Sequence, residues 1–231
     1  MSVETTSIQP EPGALYPRRW AAMIVLVLAF MLDLLNVTIV NVGLPAIQRD
    51  LLADHTELEW ISAAYLLAFA GGLITAARVG DVWGRKRIFL IGVAAFGLTG
   101  VWCGIAHDPA ELIAARAAQG LAAAMLAPQV MSSLYGMFHG RERATVFGAF
   151  GIVAGVAQAG GLLLGGALIT ADVAGLGWRT IFLITVPVAF VLVIAGAWLV
   201  PESRVTDGAR PRWLAAVVLT VGLIAIVFPP L

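Results

Sequence analysis

Seven long apolar stretches, each close to the length of a bilayer crossing, leave this chain almost no way to fold in water. They run Trp20–Leu44, Leu58–Ala77, Ile88–Ala106, Glu111–Met137, Val146–Thr170, Ile181–Val200 and Trp213–Leu231. A helix needs about 20 mainly apolar residues to span the hydrocarbon core. Inside lipid only a helix or a closed barrel satisfies its own backbone hydrogen bonds. The composition agrees: 60% of the 231 residues are hydrophobic and 12% charged, against roughly 25% charged in a soluble domain. The expected fold is an all-α integral membrane protein. Residues 1–19 form a polar N-terminal segment, 20–200 a six-helix transmembrane bundle, 201–212 a linker and 213–231 the start of a seventh crossing.

The charges sort by side. Arg18, Arg19, Arg78, Arg85, Lys86, Arg87, Arg141, Arg143, Arg204, Arg210 and Arg212 fall on one side of the predicted spans, and only Arg49 and Arg179 on the other. Positive loops stay cytoplasmic, which predicts a multi-pass cell-membrane protein, inner or plasma, with a cytoplasmic N-terminus and linker. The segment Met1–Pro17 carries Glu4 and Glu11, and no small-residue cleavage site follows the first run, so that run reads as a retained span. Zero net charge gives no footprint for nucleic acid. Cys103 is alone and His55, His107 and His139 lie far apart between runs, so neither a disulfide, a metal site nor another cofactor is expected. No nucleophile–base pattern or phosphate loop occurs at usable spacing, and an enzyme is not expected.

Two ionisable residues break the apolar runs, and each costs a few kcal/mol or more there unless it is paired or used. Asp33 lies about 20 Å along the first helix from Trp20, and Arg116 about 12 Å inward from Asp108, at ~1.5 Å per residue. The two are therefore expected at similar depth on different helices. One reading is a structural ion pair. The other is a proton-coupling site, since burial favours a neutral acid and a neighbouring guanidinium a charged one. Asn36 lies one turn beyond Asp33, and Asn36, Asn41 and Gln119 are the expected cavity-lining polar residues. Gly80 and Gly84 are expected to make a tight turn between the second and third helices, with Asp81 at the start of the third helix and Arg85, Lys86 and Arg87 available to pair with it. The fifth run is rich in glycine. The pairs Gly151/Gly155 and Gly161/Gly165 place small residues on one face, and Gly161, Gly165 and Gly166 are the expected hinge.

These stretches resemble the major facilitator superfamily, in particular its fourteen-helix drug:proton antiporters. The resemblance is carried by Val37-Thr38-Ile39-Val40-Asn41-Val42-Gly43-Leu44-Pro45, by the loop Gly80-Asp81-Val82-Trp83-Gly84-Arg85-Lys86, by Arg116-Ala117-Ala118-Gln119-Gly120, by Gly161-Leu162-Leu163-Leu164-Gly165-Gly166, and by Gly177-Trp178-Arg179-Thr180-Ile181-Phe182 with Pro187. The pattern's first-helix acid falls in register at Asn36, so Asp33 stands one turn early, and Ala77, Val82, Ala157 and Leu162 also depart from it. The resemblance implies the N-terminal six-helix bundle of a transporter plus part of a seventh helix. It implies proton-coupled efflux of small amphipathic molecules or drugs by alternating access, with Asp33 and Arg116 handling the proton. The implied partners are the bilayer, protons, a small-molecule substrate and a C-terminal half beyond this chain. Two other readings remain: a half-transporter inactive without that second half, and an uptake symporter of the same fold.

Overall fold

The computed structural model describes residues 16–203. The N-terminal segment up to residue 15 and the stretch from 204 onward, which holds most of the predicted linker and the predicted seventh crossing, lie outside the described residues. The helices are α1 (Arg19–Leu51), α2 (His55–Trp83), α3 (Arg85–Ile105), α4 (Pro109–Met137), α5 (Gly140–Ala171), α6 (Thr180–Leu183) and α7 (Thr185–Leu199). Ile184, between α6 and α7, keeps helical dihedrals, so the two form one crossing, Gly177–Leu199, after a short 3-10 turn. Among the described residues six crossings are long and apolar enough for a membrane, at the first six predicted positions.

The helices outrun the apolar stretches. α1 continues through Pro45 to Leu51, because only the apolar part has to match the bilayer and a helix can project beyond it. His55, expected in a loop, opens the first turn of α2. The start of α2 is held by a capping box: Asp54 Oδ1 accepts from Glu57 N–H at 2.8 Å, and Asp54 N–H donates to Glu57 Oε2 at 2.8 Å. Asp108 caps α4 in the same way on one side, accepting from Glu111 N–H at 2.8 Å. Removing the cap in Asp54→Ala is expected to lower stability by about 1 kcal/mol. A thermal melt of the detergent-solubilised protein checks this; an unchanged midpoint would show that lipid-facing packing alone fixes the helix start.

Side-chain pairing ties the ends of the bundle together. At one end Arg19 pairs with Glu142 at 2.9 Å, which joins the starts of α1 and α5. At the other, Arg179 donates to Asp50 Oδ2 at 2.6 Å and Trp178 Nε1 donates to the same oxygen at 2.9 Å. The sorting of Arg19 and Arg179 to opposite sides is therefore met by the architecture.

The α2–α3 link differs from expectation in its details. Gly80 lies inside α2, where a Cβ would overlap the Gln129 side chain, and only Gly84 (φ 106°) makes the turn. Gln129 Nε2 donates to Ala76 O at 2.9 Å, so a buried amide from α4 grips α2 at that glycine. Asp81 does not cap α3, whose start has no side-chain cap. It is in the last turn of α2 and pairs with Arg85 at 3.0 Å across Gly84. Arg85 also reaches Ser132 O at 3.4 Å, while Lys86 donates to Ala197 O at 2.7 Å and Arg87 pairs with Glu202 at 3.7 Å. The basic run thus clamps α3 to α4 and to the end of α7, and only Arg85 engages Asp81.

The glycine face of α5 is used in part. A Cβ at Gly161 would overlap Thr38, and one at Gly165 would sit tight against Val42 and the backbone of Ile39, so these two positions let α5 lie against α1. Gly151, Gly155 and Gly166 face open space, so the 151/155 pair brings no backbone close, and α5 runs unbroken through all of them.

Packing divides the interior along its length. One apolar cluster gathers Leu26, Phe89, Phe96, Val130 and Phe138; another, toward the opposite end, gathers Ile47, Ile61, Leu112, Trp178 and Phe182. Between them α1, α2 and α4 contribute a polar belt.

Candidate functional site

The belt consists of Asp33 and Asn36 on α1, Tyr65 on α2, and Arg116 and Gln119 on α4, all at most 4% exposed. Arg116 and Gln119 are three apart and Asp33 and Asn36 three apart, so each helix turns its pair to one face. Gly120 brings α2 against α4 here: a Cβ on it would overlap the backbone carbonyl of Tyr65. That close approach is what delivers Tyr65 to the belt.

Arg116 is enclosed by neutral acceptors and π-faces. Its Nη1 donates to Asn36 Oδ1 and to Gln119 Oε1, both at 2.7 Å, and its Nε donates to Ile61 O at 3.3 Å. The guanidinium carbon stands 4.2 Å from the Tyr65 ring centroid and 5.9 Å from that of Phe182. A guanidinium has donors only, so both amides must turn their oxygens toward it. Their NH2 groups therefore face away, and Asn36 Nδ2 and Gln119 Nε2 are buried without a hydrogen-bond partner among the described residues. Cys103 Sγ adds a weak contact to Gln119 Oε1 at 3.7 Å.

Asp33 and Arg116 share this layer, as their depths predict, but do not form the direct ion pair considered from sequence. The Tyr65 hydroxyl donates to Asp33 Oδ1, and the Tyr65 ring lies between the carboxylate and the guanidinium. Asp33 and Tyr65 open on a cavity of about 290 Å³ shared by α1, α2 and α5, with Phe30, Phe69 and Gln158 in its wall. Its chemistry is one acid, one phenol, one amide, the Thr38 hydroxyl and aromatic and aliphatic faces.

Of the expected cavity residues, Asn36 and Gln119 belong to the Arg116 cluster. Asn41 does not: it is exposed and accepts only a long contact, 3.5 Å, from Ser62 Oγ. Tyr65 and Gln158 escaped the sequence reading. Each is an uncharged polar group within an apolar run, and a search for polar side chains as well as ionisable ones would have flagged both.

The family model described as the Major Facilitator Superfamily matches residues 26–231. The chain belongs to the major facilitator superfamily. Among curated superfamily relatives, it is 38% identical over 226 residues to a probable actinorhodin transporter of Streptomyces coelicolor, covering 97% of this chain and 38% of that protein. It is 41% identical over 214 residues to a puromycin resistance protein of Streptomyces alboniger, covering 92% of this chain and 42% of the relative. The chain thus spans about two fifths of the length of these relatives. Among solved structures, a bacterial homologue of the human lysosomal transporter Spinster, inward-facing and unoccupied, matches with a TM-score of 0.69 at 20% identity, over 87% of this chain and 47% of that one. A peptide transporter in complex with sulfate matches with a TM-score of 0.66 at 15% identity, over 89% of this chain and 44% of that one. These structural likenesses establish the superfamily fold.

Proposed function

We propose that this chain forms one wall of an exporter that moves small amphipathic molecules, antibiotics among them, out of the cell against proton entry. The observation that carries the reading is Asp33: a buried carboxylate in mid-span, opening on a cavity, whose hydrogen-bond partner is the neutral Tyr65 hydroxyl rather than a cation. An acid placed so can be neutral or charged without breaking an ion pair. In this reading Asp33 takes the proton and Tyr65 reports the change to the guanidinium stacked on its ring. Arg116 then favours release, because a fixed cation nearby stabilises the carboxylate. Gln158, Phe30 and Phe69 offer the substrate an amide and two aromatic faces.

Alternating access in this fold works between two bundles around a midplane site. The reading therefore includes a second bundle facing this one, which fits the two-fifths coverage of the relatives. Export rather than uptake rests on those relatives, named for antibiotic transport or resistance. The side bearing Arg19, Arg85 and Arg141 is taken as cytoplasmic.

Efflux of ethidium from cells under an imposed proton gradient tests this. Asp33→Asn keeps size and hydrogen bonding but cannot ionise. It is expected to reduce gradient-driven efflux at least tenfold, about 1.4 kcal/mol in the driving step, while surface expression persists. Wild-type export that Asp33→Asn leaves intact would remove Asp33 from the mechanism.

A further inference from the structure

The run Gly177-Trp178-Arg179-Thr180-Ile181-Phe182 opens the last crossing at the end of the bundle opposite Arg19 and Glu142. Asp50, near the end of α1, keeps 47% of its side chain exposed there. It accepts from Trp178 Nε1 at 2.9 Å and from Arg179 Nη1 at 2.6 Å. Arg179 also donates to Ala106 O, just past α3, at 3.3 Å, and its guanidinium carbon lies 4.5 Å from the Trp178 ring centroid. The indole is thus gripped at its N–H edge and covered by a cation, and it is only 3% exposed.

Inward from Trp178 the contacts continue ring by ring to the belt. Trp178 meets Phe182 edge to face, with centroids 6.0 Å apart and planes at 89°. Phe182 in turn stands 5.9 Å from the Arg116 guanidinium. Two rings one helical turn apart therefore separate half-exposed Asp50 from the buried cation. Two glycines seat that turn. A Cβ on Gly43 would overlap Ile181 and one on Gly104 would overlap Leu183, so α1 and α3 both close on the last crossing here. Cys103, fully buried, lies one residue from Gly104 with its Sγ 3.7 Å from Gln119 Oε1.

We infer that Trp178 is a plug that keeps bulk water from the Arg116 belt, and that Asp50 and Arg179 are the positioning residues that hold it shut. A guanidinium whose acceptors are neutral amides exchanges them for water once water reaches it, and a wet path from the surface to the belt would carry protons past Asp33. With Trp178 seated, access to this layer is through the Asp33 cavity between α1, α2 and α5. The plug is a matter of packing and holds whether or not Asp33 carries the proton.

Cys103, the one cysteine of the chain, reports on the seal. The full chain in detergent is treated with the anionic thiol reagent sulfonatoethyl methanethiosulfonate, and modification of Cys103 is followed by mass spectrometry. Detergent leaves both ends open to the reagent, so the result does not depend on which end faces the cell exterior. The wild type is expected to resist. Trp178→Ala and Asp50→Ala should be modified about tenfold faster or more, since attack on a buried thiol tracks the population of locally opened states. Trp178→Phe keeps a ring against Phe182, and Asp50→Asn keeps an oxygen acceptor for the indole, so both should stay close to wild type. Trp198→Ala removes a 76% exposed indole from the same crossing and should change nothing. Helical circular dichroism of each variant separates local opening from unfolding. Wild-type Cys103 modified as fast as in Trp178→Ala, Trp178→Phe no slower than Trp178→Ala, equal acceleration by Trp198→Ala, or acceleration that arrives only with lost helical signal would each overturn the plug. None of these readouts requires transport, so their failure is separable from failure of the efflux reading.

Discussion

Gly120→Ala is expected to unfold the centre of the bundle although it adds a single methyl group. The new Cβ would overlap the carbonyl oxygen of Tyr65, and backbone cannot swing aside as a side chain can. α2 and α4, which form the most extensive helix pair in the bundle, would have to separate. Overpacking of this kind costs about 1–3 kcal/mol and sometimes more. The displacement also draws the Tyr65 hydroxyl from Asp33, so ethidium efflux should fall with stability. Gly155→Ala is the matched control: its Cβ meets open space in the middle of α5, and alanine favours helix by up to about 1 kcal/mol. Melting midpoints in one detergent should therefore move in opposite directions for the two variants. Equal shifts would mean that the α2–α4 approach at Gly120 is looser than described.

Arg116→Leu should be nearly as severe, for a different reason. The guanidinium is the donor for Asn36 Oδ1, Gln119 Oε1 and Ile61 O, all enclosed in the belt. Leucine fills part of the volume and takes the guanidinium from both amide oxygens, at about 1–3 kcal/mol for each that finds no other partner, while Ile61 O keeps its helical N–H donor within α2. Arg116→Lys keeps the charge but replaces a planar fork by a point ammonium, which cannot stack on Tyr65 and reach both amides in the same geometry. It should fall between wild type and leucine in melting temperature. In efflux the lysine variant should resemble leucine if the stacked geometry matters, or wild type if charge alone suffices. A leucine variant that melts with the wild type would show that Asn36 and Gln119 satisfy each other once the arginine is gone, and would end the view of Arg116 as the organiser of the belt.

The contrast between Asp33 and Tyr65 shows where sequence reading stopped. A carboxylate in an apolar run is conspicuous because its burial is costly, and counting residues from each helix end put Asp33 and Arg116 in one layer. That Tyr65 would stand between them depends on the rotation and closeness of α2 relative to α4, which Gly120 sets through a contact 55 residues away in sequence. Asn36 and Asn41 looked equivalent along one helix. Their separation into a buried Arg116 ligand and an exposed side chain follows from which neighbours cover each side of α1. The two glycine pairs of α5 had the same spacing and opposite outcomes for the same cause.

The chain's own order of residues determined that it crosses a membrane six times within the described span, which termini of those crossings share a side, and which charges lie at mid-depth. Each of these follows from the local cost of placing apolar or charged groups in lipid or water. Only the tertiary structure decided that Asp33 is held by a phenol instead of by Arg116, and that Asp81 bridges a glycine turn instead of capping α3. Those outcomes depend on helix rotation and sub-helical distances between segments remote in sequence, which hydropathy leaves free and close packing of small residues fixes.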